Sequence, residues 1–293
     1  MQDFNNKVAV ITGGASGVGR SIGLLLAAEG CKIVVADIEQ QAMDKVVAEV
    51  KAAGSDAVGV KCDVSSEDSM KAAAEQAFAA FGEVHLVFAN AGVGTHEAGN
   101  MWEYNANEWK WGLGVNLWGV INSITAFMGR LVEQNQEAHF VVTGSGNGAF
   151  LMLPQTPIYT ATKAAVAAIT ENLYFQVQAI DTPVKINALM PGPHTVDTGI
   201  FSSERNRPEA LPADPNAADS GIRSVDDMQR MMKEYGLPPL NVTHPDEVAK
   251  AALAGLRAEQ FWLGERSEKS LAAMKLRYQG LLEGKAPVLP DVL

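Results

Sequence analysis

Tyr159 and Lys163 stand four residues apart in a stretch patterned as a helix, Ile158-Tyr159-Thr160-Ala161-Thr162-Lys163-Ala164-Ala165, so both side chains fall on one helical face. A phenol titrates near ~10, and accepting a proton at neutral pH requires a shift of ~3 units, or ~4 kcal/mol. An ammonium ~4 Å away supplies ~4 kcal/mol at an effective dielectric of ~20. A lysine so placed can activate the tyrosine for proton exchange. Such a pair also arises on ordinary helix surfaces, so its meaning depends on its neighbours. Ser145, in Thr143-Gly144-Ser145-Gly146-Asn147-Gly148, offers a hydroxyl that could bond the oxygen of an alcohol or carbonyl; a plain turn serine is the alternative. Asn116 sits inside a helical pattern, where asparagine is unfavourable without a specific partner.

A second group of residues reads as a phosphate cradle. The apolar run Val8–Thr12 leads straight into Gly13-Gly14-Ala15-Ser16-Gly17-Val18-Gly19, and a helical pattern follows. Glycines permit a tight turn and let backbone N–H groups approach a pyrophosphate at the positive end of the helix. The spacing G-x-x-x-G-x-G departs from the common G-x-G-x-x-G dinucleotide pattern, and a simple strand–helix turn is the bland alternative. Asp37 ends the next apolar run, ~20 residues on, where a carboxylate can accept hydrogen bonds from an adenosine ribose. It could equally open a turn or cap the helix that begins at Glu39.

Thr12-Gly13-x-x-x-Gly17-x-Gly19, Asp63-Val64, Asn90-Ala91-Gly92, Asn116, Ser145, Tyr159-x-x-x-Lys163 and Asn187 with Pro191-Gly192 occur in this order. Together they resemble the short-chain dehydrogenase/reductase family over residues 5–200 and 245–265. The resemblance implies NAD or NADP as cofactor, with Gly13, Ser16, Gly17, Val18 and Gly19 under the phosphates. It implies that Asp63 and Val64 contact adenine, and that Asn90, Ala91 and Gly92 lie beside the cofactor. Pro191 and Gly192 would flank the nicotinamide. Tyr159 and Lys163 would touch the cofactor as well as act in catalysis, and Lys163 would hold the nicotinamide ribose. Ser145 would orient the substrate oxygen, and Asn116 would hold a water that links Lys163 to solvent. Neither Ser16 nor Ile38 is the basic residue found in members that prefer NADP, so NAD is expected. Two departures stand out. The gap from Ser145 to Tyr159 is one residue longer than usual, so the loop between them must bulge. After Pro191-Gly192 the segment Pro193-His194-Thr195-Val196-Asp197-Thr198 is stretched, and Thr198 is favoured over Thr195 as the carboxamide ligand.

The elements that must position these groups alternate. Apolar runs at Val8–Thr12, Lys32–Asp37, Ala57–Cys62, Leu86–Asn90, His139–Thr143 and Lys185–Leu189 read as strands. Helical patterns at Val18–Glu29, Glu39–Ala53, Glu67–Phe81, Asn107–Glu133 and Pro157–Ala179 separate them. Such alternation implies an α/β, Rossmann-type, doubly wound parallel sheet with ligands beyond the carboxyl ends of the strands. Residues 191–245 carry eight prolines and read as a long substrate lid with a short helix near Val225–Tyr235, inserted into one domain spanning 1–293. A helix at Asp246–Arg257, a strand at Phe261–Leu263 and a helix at Ser267–Leu282 close the chain.

Composition narrows the partners. With 23 Lys and Arg against 34 Asp and Glu, the formal charge of −11 speaks against nucleic acid and against anionic membranes. The two cysteines, Cys31 and Cys62, form no C-x-x-C pair, and the histidines (His85, His96, His139, His194, His244) show no zinc spacing, so no metal is expected. No leader or membrane span is visible, which points to the cytoplasm.

The resemblance further implies a homo-oligomer, dimer or tetramer, built on the Asn107–Glu133 and Pro157–Ala179 helices. The substrate expected is a small molecule, a bulky hydrophobic or aromatic secondary alcohol or its ketone. Ile200, Phe201, Leu211, Ile222, Met228, Met231, Met232, Tyr235 and Leu237 in the lid, and Phe150, Leu151, Met152 and Leu153 beyond Ser145, would supply apolar walls. Trp109–Gly119 and Ser203–Pro208 also resemble stretches of bacterial dehydrogenases that oxidise benzylic alcohols of lignin-type aryl ethers. The alternatives are a catalytically silent NAD(H)-sensing or scaffold protein, and an epimerase or dehydratase acting on sugar nucleotides.

Overall fold

The computed structural model describes residues 1–95, 97–216 and 218–290; His96, one of the histidines weighed for metal binding, lies outside them. Alternating apolar runs become β1 (Val8–Thr12), α1 (Gly17–Ala28), β2 (Lys32–Asp37), α2 (Gln40–Ala52), β3 (Ala57–Lys61), α3 (Glu67–Phe81) and β4 (Leu86–Ala89). There follow α4 (Ala106–Gly112), a π-helical segment (Leu113–Trp118), α5 (Gly119–Gln134), β5 (Ala138–Thr143), a short turn α6 (Gly146–Ala149), α7 (Pro157–Gln178) and β6 (Val184–Leu189). The sheet is parallel throughout, in the order β3-β2-β1-β4-β5-β6-β9, where β9 is Trp262–Leu263. Chain order reverses between β1 and β4, and that reversal opens the crevice in which doubly wound sheets bind ligands.

The strands are apolar on both faces because helices cover both. Val8, Val10, Val34, Val87, Phe140 and Val142 pack against α3, α5 and α7 through Met70, Phe127, Leu131 and Val166. The alternate residues Ala9, Ile11, Ile33, Val35, Phe88 and Val141 meet α1, α2 and α9 (Pro245–Arg257) through Ile22, Leu26, Val46 and Leu253. Two core layers thus clamp the sheet and fix the ends of its strands.

Three details depart from the sequence pattern. The helix expected over Asn107–Glu133 is interrupted by the π segment, which carries Asn116. Part of the segment 191–245, expected as a lid, forms regular structure: β7 (Thr195–Val196) pairs with β8 (Val242–Thr243), and a 3-10 strap (Gly199–Asn206) and α8 (Val225–Glu234) lie between them. The Phe150 ring packs edge-on against Trp262, with centroids 5.5 Å apart. Of the lid's apolar residues, Met232 is buried whereas Tyr235 and Leu237 face solvent. The helix α10 (Glu268–Leu282) ends the described fold.

Candidate active site

The carboxyl end of β1 turns through the glycines into α1. Gly13 has φ +62°, and a Cβ there would stand 2.8 Å from Ala91 Cα. At Gly19 a Cβ would meet the Gly13 carbonyl oxygen at 2.3 Å. Only glycine allows this closeness, so the turn stays flat against the loop after β4. Ser16 occupies the N-cap of α1 without a side-chain capping bond, and no acidic residue sits in the first turn. Gly17 and Val18 begin the helix, whose positive end is left open toward an anion.

Around this cradle the strand ends are tied by side chains. Thr12 Oγ1 accepts from the N–H groups of Asn90 (2.9 Å) and Ala91 (3.1 Å). Asn90 Nδ2 donates to the Thr12 carbonyl (3.1 Å), and its Oδ1 accepts from Thr143 Oγ1 (3.2 Å). The ends of β1, β4 and β5 are thereby held as one unit. Asp37 closes β2 with Oδ2 accepting from the Ala15 N–H (2.9 Å) and Oδ1 from the Glu39 N–H (3.1 Å). Burial pushes its carboxyl above the usual range, while these backbone donors pull it back. Of the two sequence readings of Asp37, ribose acceptor and turn former, these bonds show the turn former. Ile38 beside it is exposed. Past β3, Asp63 is exposed and accepts from Ser65, and Val64 is buried against the π segment and α5, its carbonyl accepting from Asn122 Nδ2 (2.9 Å).

Tyr159 and Lys163 lie on the first turns of α7, under the end of β5. The Tyr159 hydroxyl is hydrogen-bonded to Ser145, and burial raises the phenol above its ordinary value. Lys163 is buried, and its Nζ donates to the Thr143 carbonyl (2.8 Å) and stands 5.8 Å from the centre of the Tyr159 ring. Burial pushes this ammonium down to about 8. Asn147 sews the serine loop to the helix: Nδ2 donates to Thr156 Oγ1 (2.9 Å) and Oδ1 accepts from Thr160 Oγ1 (2.9 Å). The extra residue between Ser145 and Tyr159 is taken up by a bulge at Asn147 and Gly148, whose backbone leaves the helical region.

Asn116 is fully buried; its Oδ1 accepts from the Val93 N–H (2.8 Å) and its Nδ2 donates to the Val93 carbonyl (3.0 Å). It grips the loop after β4 in both directions. Gly92 lies between Asn116 and Lys163, since a Cβ on it would stand 3.3 Å from Asn116 Oδ1 and 3.8 Å from Lys163 Nζ. Pro191 and Gly192 follow β6 into the lid. Thr195 lies in β7, and Thr198 packs against the phosphate loop, 3.1 Å from where a Gly17 Cβ would be.

The chain's likeness to known proteins agrees with this geometry. A family profile described as short chain dehydrogenase matches residues 7–209. The chain belongs to the short-chain dehydrogenase family. One member of known structure, a short-chain dehydrogenase/reductase from Burkholderia phymatum in complex with NAD, is 35% identical over 100% of both chains, with a TM-score of 0.87. A C alpha-dehydrogenase of a Sphingobium species is 27% identical across 99% of this chain and 90% of its own. A cyclohexanol dehydrogenase of an Acinetobacter species is 34% identical over 64% of this chain and 73% of its own. The protein is therefore an oxidoreductase of the class that acts on CH–OH groups.

For a short-chain dehydrogenase the glycine cradle, open helix end and Asp37 fit a dinucleotide by shape and charge. Among the described residues no cluster of His, Cys, Asp and Glu could hold a metal, and no helix is long and apolar enough to cross a membrane. Cys31 and Cys62 are free and buried, with thiols pushed up to about 12 and about 11. Sequence reasoning missed Asn147 as a site organiser, and it missed Glu97, whose carboxylate reaches the start of α7. Nothing in the local sequence marks either: Glu97 acts on partners 61 and 62 residues away, and Asn147 acts across a bulge whose course the apolar pattern does not show.

Proposed function

We propose that this enzyme interconverts a bulky hydrophobic or aromatic secondary alcohol and its ketone with NAD. The reading is carried by one observation: the Ser145–Tyr159 hydrogen bond stands one helical turn from the buried Lys163, beside the glycine cradle. NAD, when bound, supplies or takes the hydride. Gly13, Ser16, Gly17, Val18 and Gly19 would hold its phosphates. Asp37 and Ile38 would meet the adenosine ribose, and Asp63 and Val64 the adenine. Asn90, Ala91, Gly92, Pro191, Gly192 and Thr198 would line its nicotinamide half, with Tyr159 and Lys163 at the ribose.

Ser145 fixes the substrate oxygen, and Tyr159 takes the hydroxyl proton in oxidation or returns it in reduction. Lys163 favours the phenolate by its charge, and Asn116 holds the Val93 loop beside both so that a proton can leave toward water. NAD is preferred to NADP because Asp37 would face a 2′-phosphate of about −1.5 to −2 charge. The names of the relatives, C alpha-dehydrogenase and cyclohexanol dehydrogenase, support an alcohol on a hydrophobic or ring-bearing carbon. Residues 191–245 serve as the lid of a one-domain cytoplasmic enzyme. Self-association through the faces that expose Trp118 (54%) and Phe175 (63%) completes the reading.

The test follows NADH absorbance with aryl and alicyclic secondary alcohols, supplying NAD or NADP. Wild type should favour NAD by roughly two orders of magnitude in kcat/KM, from a few kcal/mol of repulsion at Asp37. Tyr159→Phe should lose ~99% or more of turnover while binding NADH as before. Retained turnover in Tyr159→Phe, or equal use of both cofactors, would refute the corresponding assignment.

A further inference from the structure

The first turn of α7 carries the tyrosine, and its donors need partners. Thr156, at the N-cap, makes no side-chain capping bond; its own N–H donates to the Leu153 carbonyl (3.3 Å). Pro157 has no N–H. Two orphan donors remain in the first turn, Ile158 and Tyr159, and both point to one carboxylate brought in from another part of the chain. Glu97 Oε2 accepts from the Ile158 N–H (2.5 Å), and Oε1 accepts from the Tyr159 N–H (2.9 Å).

Glu97 is itself held. The Thr95 hydroxyl donates to Oε1 (2.5 Å), and Thr95 is buried with its methyl near Gly112 at the end of α4. The segment leading to Glu97 is pinned four residues earlier by Asn116 on Val93, and Gly94 N–H donates to Ser203 Oγ of the strap (3.1 Å). The loop after β4 is therefore fixed at both ends, to the π segment and to α7. A carboxylate at a helix N-terminus is favoured by the helix dipole, and its bonds to backbone N–H groups are charge-assisted. Burial works against that charge and raises the Glu97 carboxyl, while the three donors oppose the rise.

We infer that Glu97 is a positioning residue for proton transfer, setting the Tyr159 phenol against Ser145 by gripping the backbone N–H groups of Ile158 and Tyr159. The inference rests on the proposed role of Tyr159. Because the tyrosine sits in the first turn, fraying there displaces the phenol directly, and a displacement of ~1 Å can cost ~100-fold in rate. Glutamine at position 97 would turn an NH2 group toward a backbone donor and break one of the two bonds.

The experiment compares Glu97→Gln with wild type at a temperature where both are folded, measuring kcat, KM, NADH affinity and melting temperature. The expected result is a fall in kcat of about tenfold or more, with KM and NADH Kd within about twofold. A role confined to stability would instead lower the melting temperature and leave kcat per folded molecule alone. A kcat within about twofold of wild type, or kcat and NADH affinity falling in parallel, would overturn the inference. If Glu97→Gln does not fold, Thr95→Val keeps the carboxylate and removes only the hydroxyl that aims it. A kcat lowered about threefold or more at unchanged KM supports positioning, and an unchanged kcat overturns it. Tyr159→Phe separates the two ideas: if it stays active the acid–base assignment fails, whereas an inactive Tyr159→Phe beside a fully active Glu97→Gln removes only the role of Glu97.

Discussion

Lys163 is a charged side chain held against the cost of burial. Its ammonium falls from 10.5 to about 8, so below about pH 8 the folded state carries a proton that burial penalises. The unfolded chain binds more protons than the folded one between about 8 and 10.5, and stability therefore rises with pH across that window. Lys163→Met should stabilise the cofactor-free protein at pH 7, by up to about 3 kcal/mol before the lost bond to Thr143 is subtracted. Urea midpoints of the two proteins should converge as pH approaches 10.5. A variant less stable than wild type at pH 7 would show that the bond to Thr143 outweighs desolvation. The same substitution should abolish most turnover, so the position trades stability for activity. Lys163 was legible in the sequence because its spacing to Tyr159 is local. Glu97 was not, since its bond to Tyr159 joins residues 62 apart and only the folded loop brings them together.

At the scale of elements, periodicity served wherever one partner face was involved. β1, β2 and α3 begin and end where the apolar pattern does, because both faces of the strands and one face of the helix are buried against continuous layers. The π segment was invisible, since widening one turn changes the hydrogen bonding and leaves the apolar pattern of Asn107–Glu133 readable as a single helix. Phe150 packs its ring on Trp262, a contact that a hydrophobic residue near a reactive serine does not announce in the local sequence. The bulge after Ser145 was anticipated from loop length alone, and Gly148 is what makes it possible. Gly148 has φ +97°, and a Cβ there would stand 2.6 Å from both Thr160 O and Ala164 N, the groups that bond across one turn of α7. Gly148→Ala should therefore cost roughly 2–4 kcal/mol, from the left-handed backbone and overpacking together. It should also displace Ser145 and lower kcat beyond what the loss of folded protein explains. A urea midpoint shifted by less than about 1 kcal/mol equivalent would mean that the bulge can refold around a side chain.

Across the whole molecule, the segment that follows β6 is fastened to the glycine loop, to the loop after β4 and to the end of β2. Thr198 rests on Gly17, Ser203 takes the Gly94 N–H, and at the far end Arg205 and Asn206 reach Glu39 just past β2. Arg205 Nη2 and Asn206 Nδ2 each donate to Glu39 Oε1 at 2.7 Å, and Arg205 holds the Glu39 carboxyl below its usual range. Arg205 Nη1 also donates back to the Gly199 and Ser202 carbonyls, so the strap is stiff where it is latched. A dinucleotide lying between the glycine cradle and Asp37 would be enclosed beneath this strap, and its departure would require the latch to open. The latch is half-exposed and an exposed ion pair contributes only ~0.2–1 kcal/mol, so it can set a rate without locking the site. Arg205→Ala should accelerate NADH release about 1.5- to fivefold, as read by stopped-flow loss of NADH fluorescence. Glu39→Ala should do the same, and the double variant should fall short of the sum of the two, since both remove the shared Arg205–Glu39 pair. Wild-type release should quicken with salt as the pair is screened, while Arg205→Ala should respond weakly. Where product cofactor release limits turnover, kcat should rise in the variants even as NADH affinity falls. Release rates equal in wild type and Arg205→Ala would place the limiting motion elsewhere in the lid.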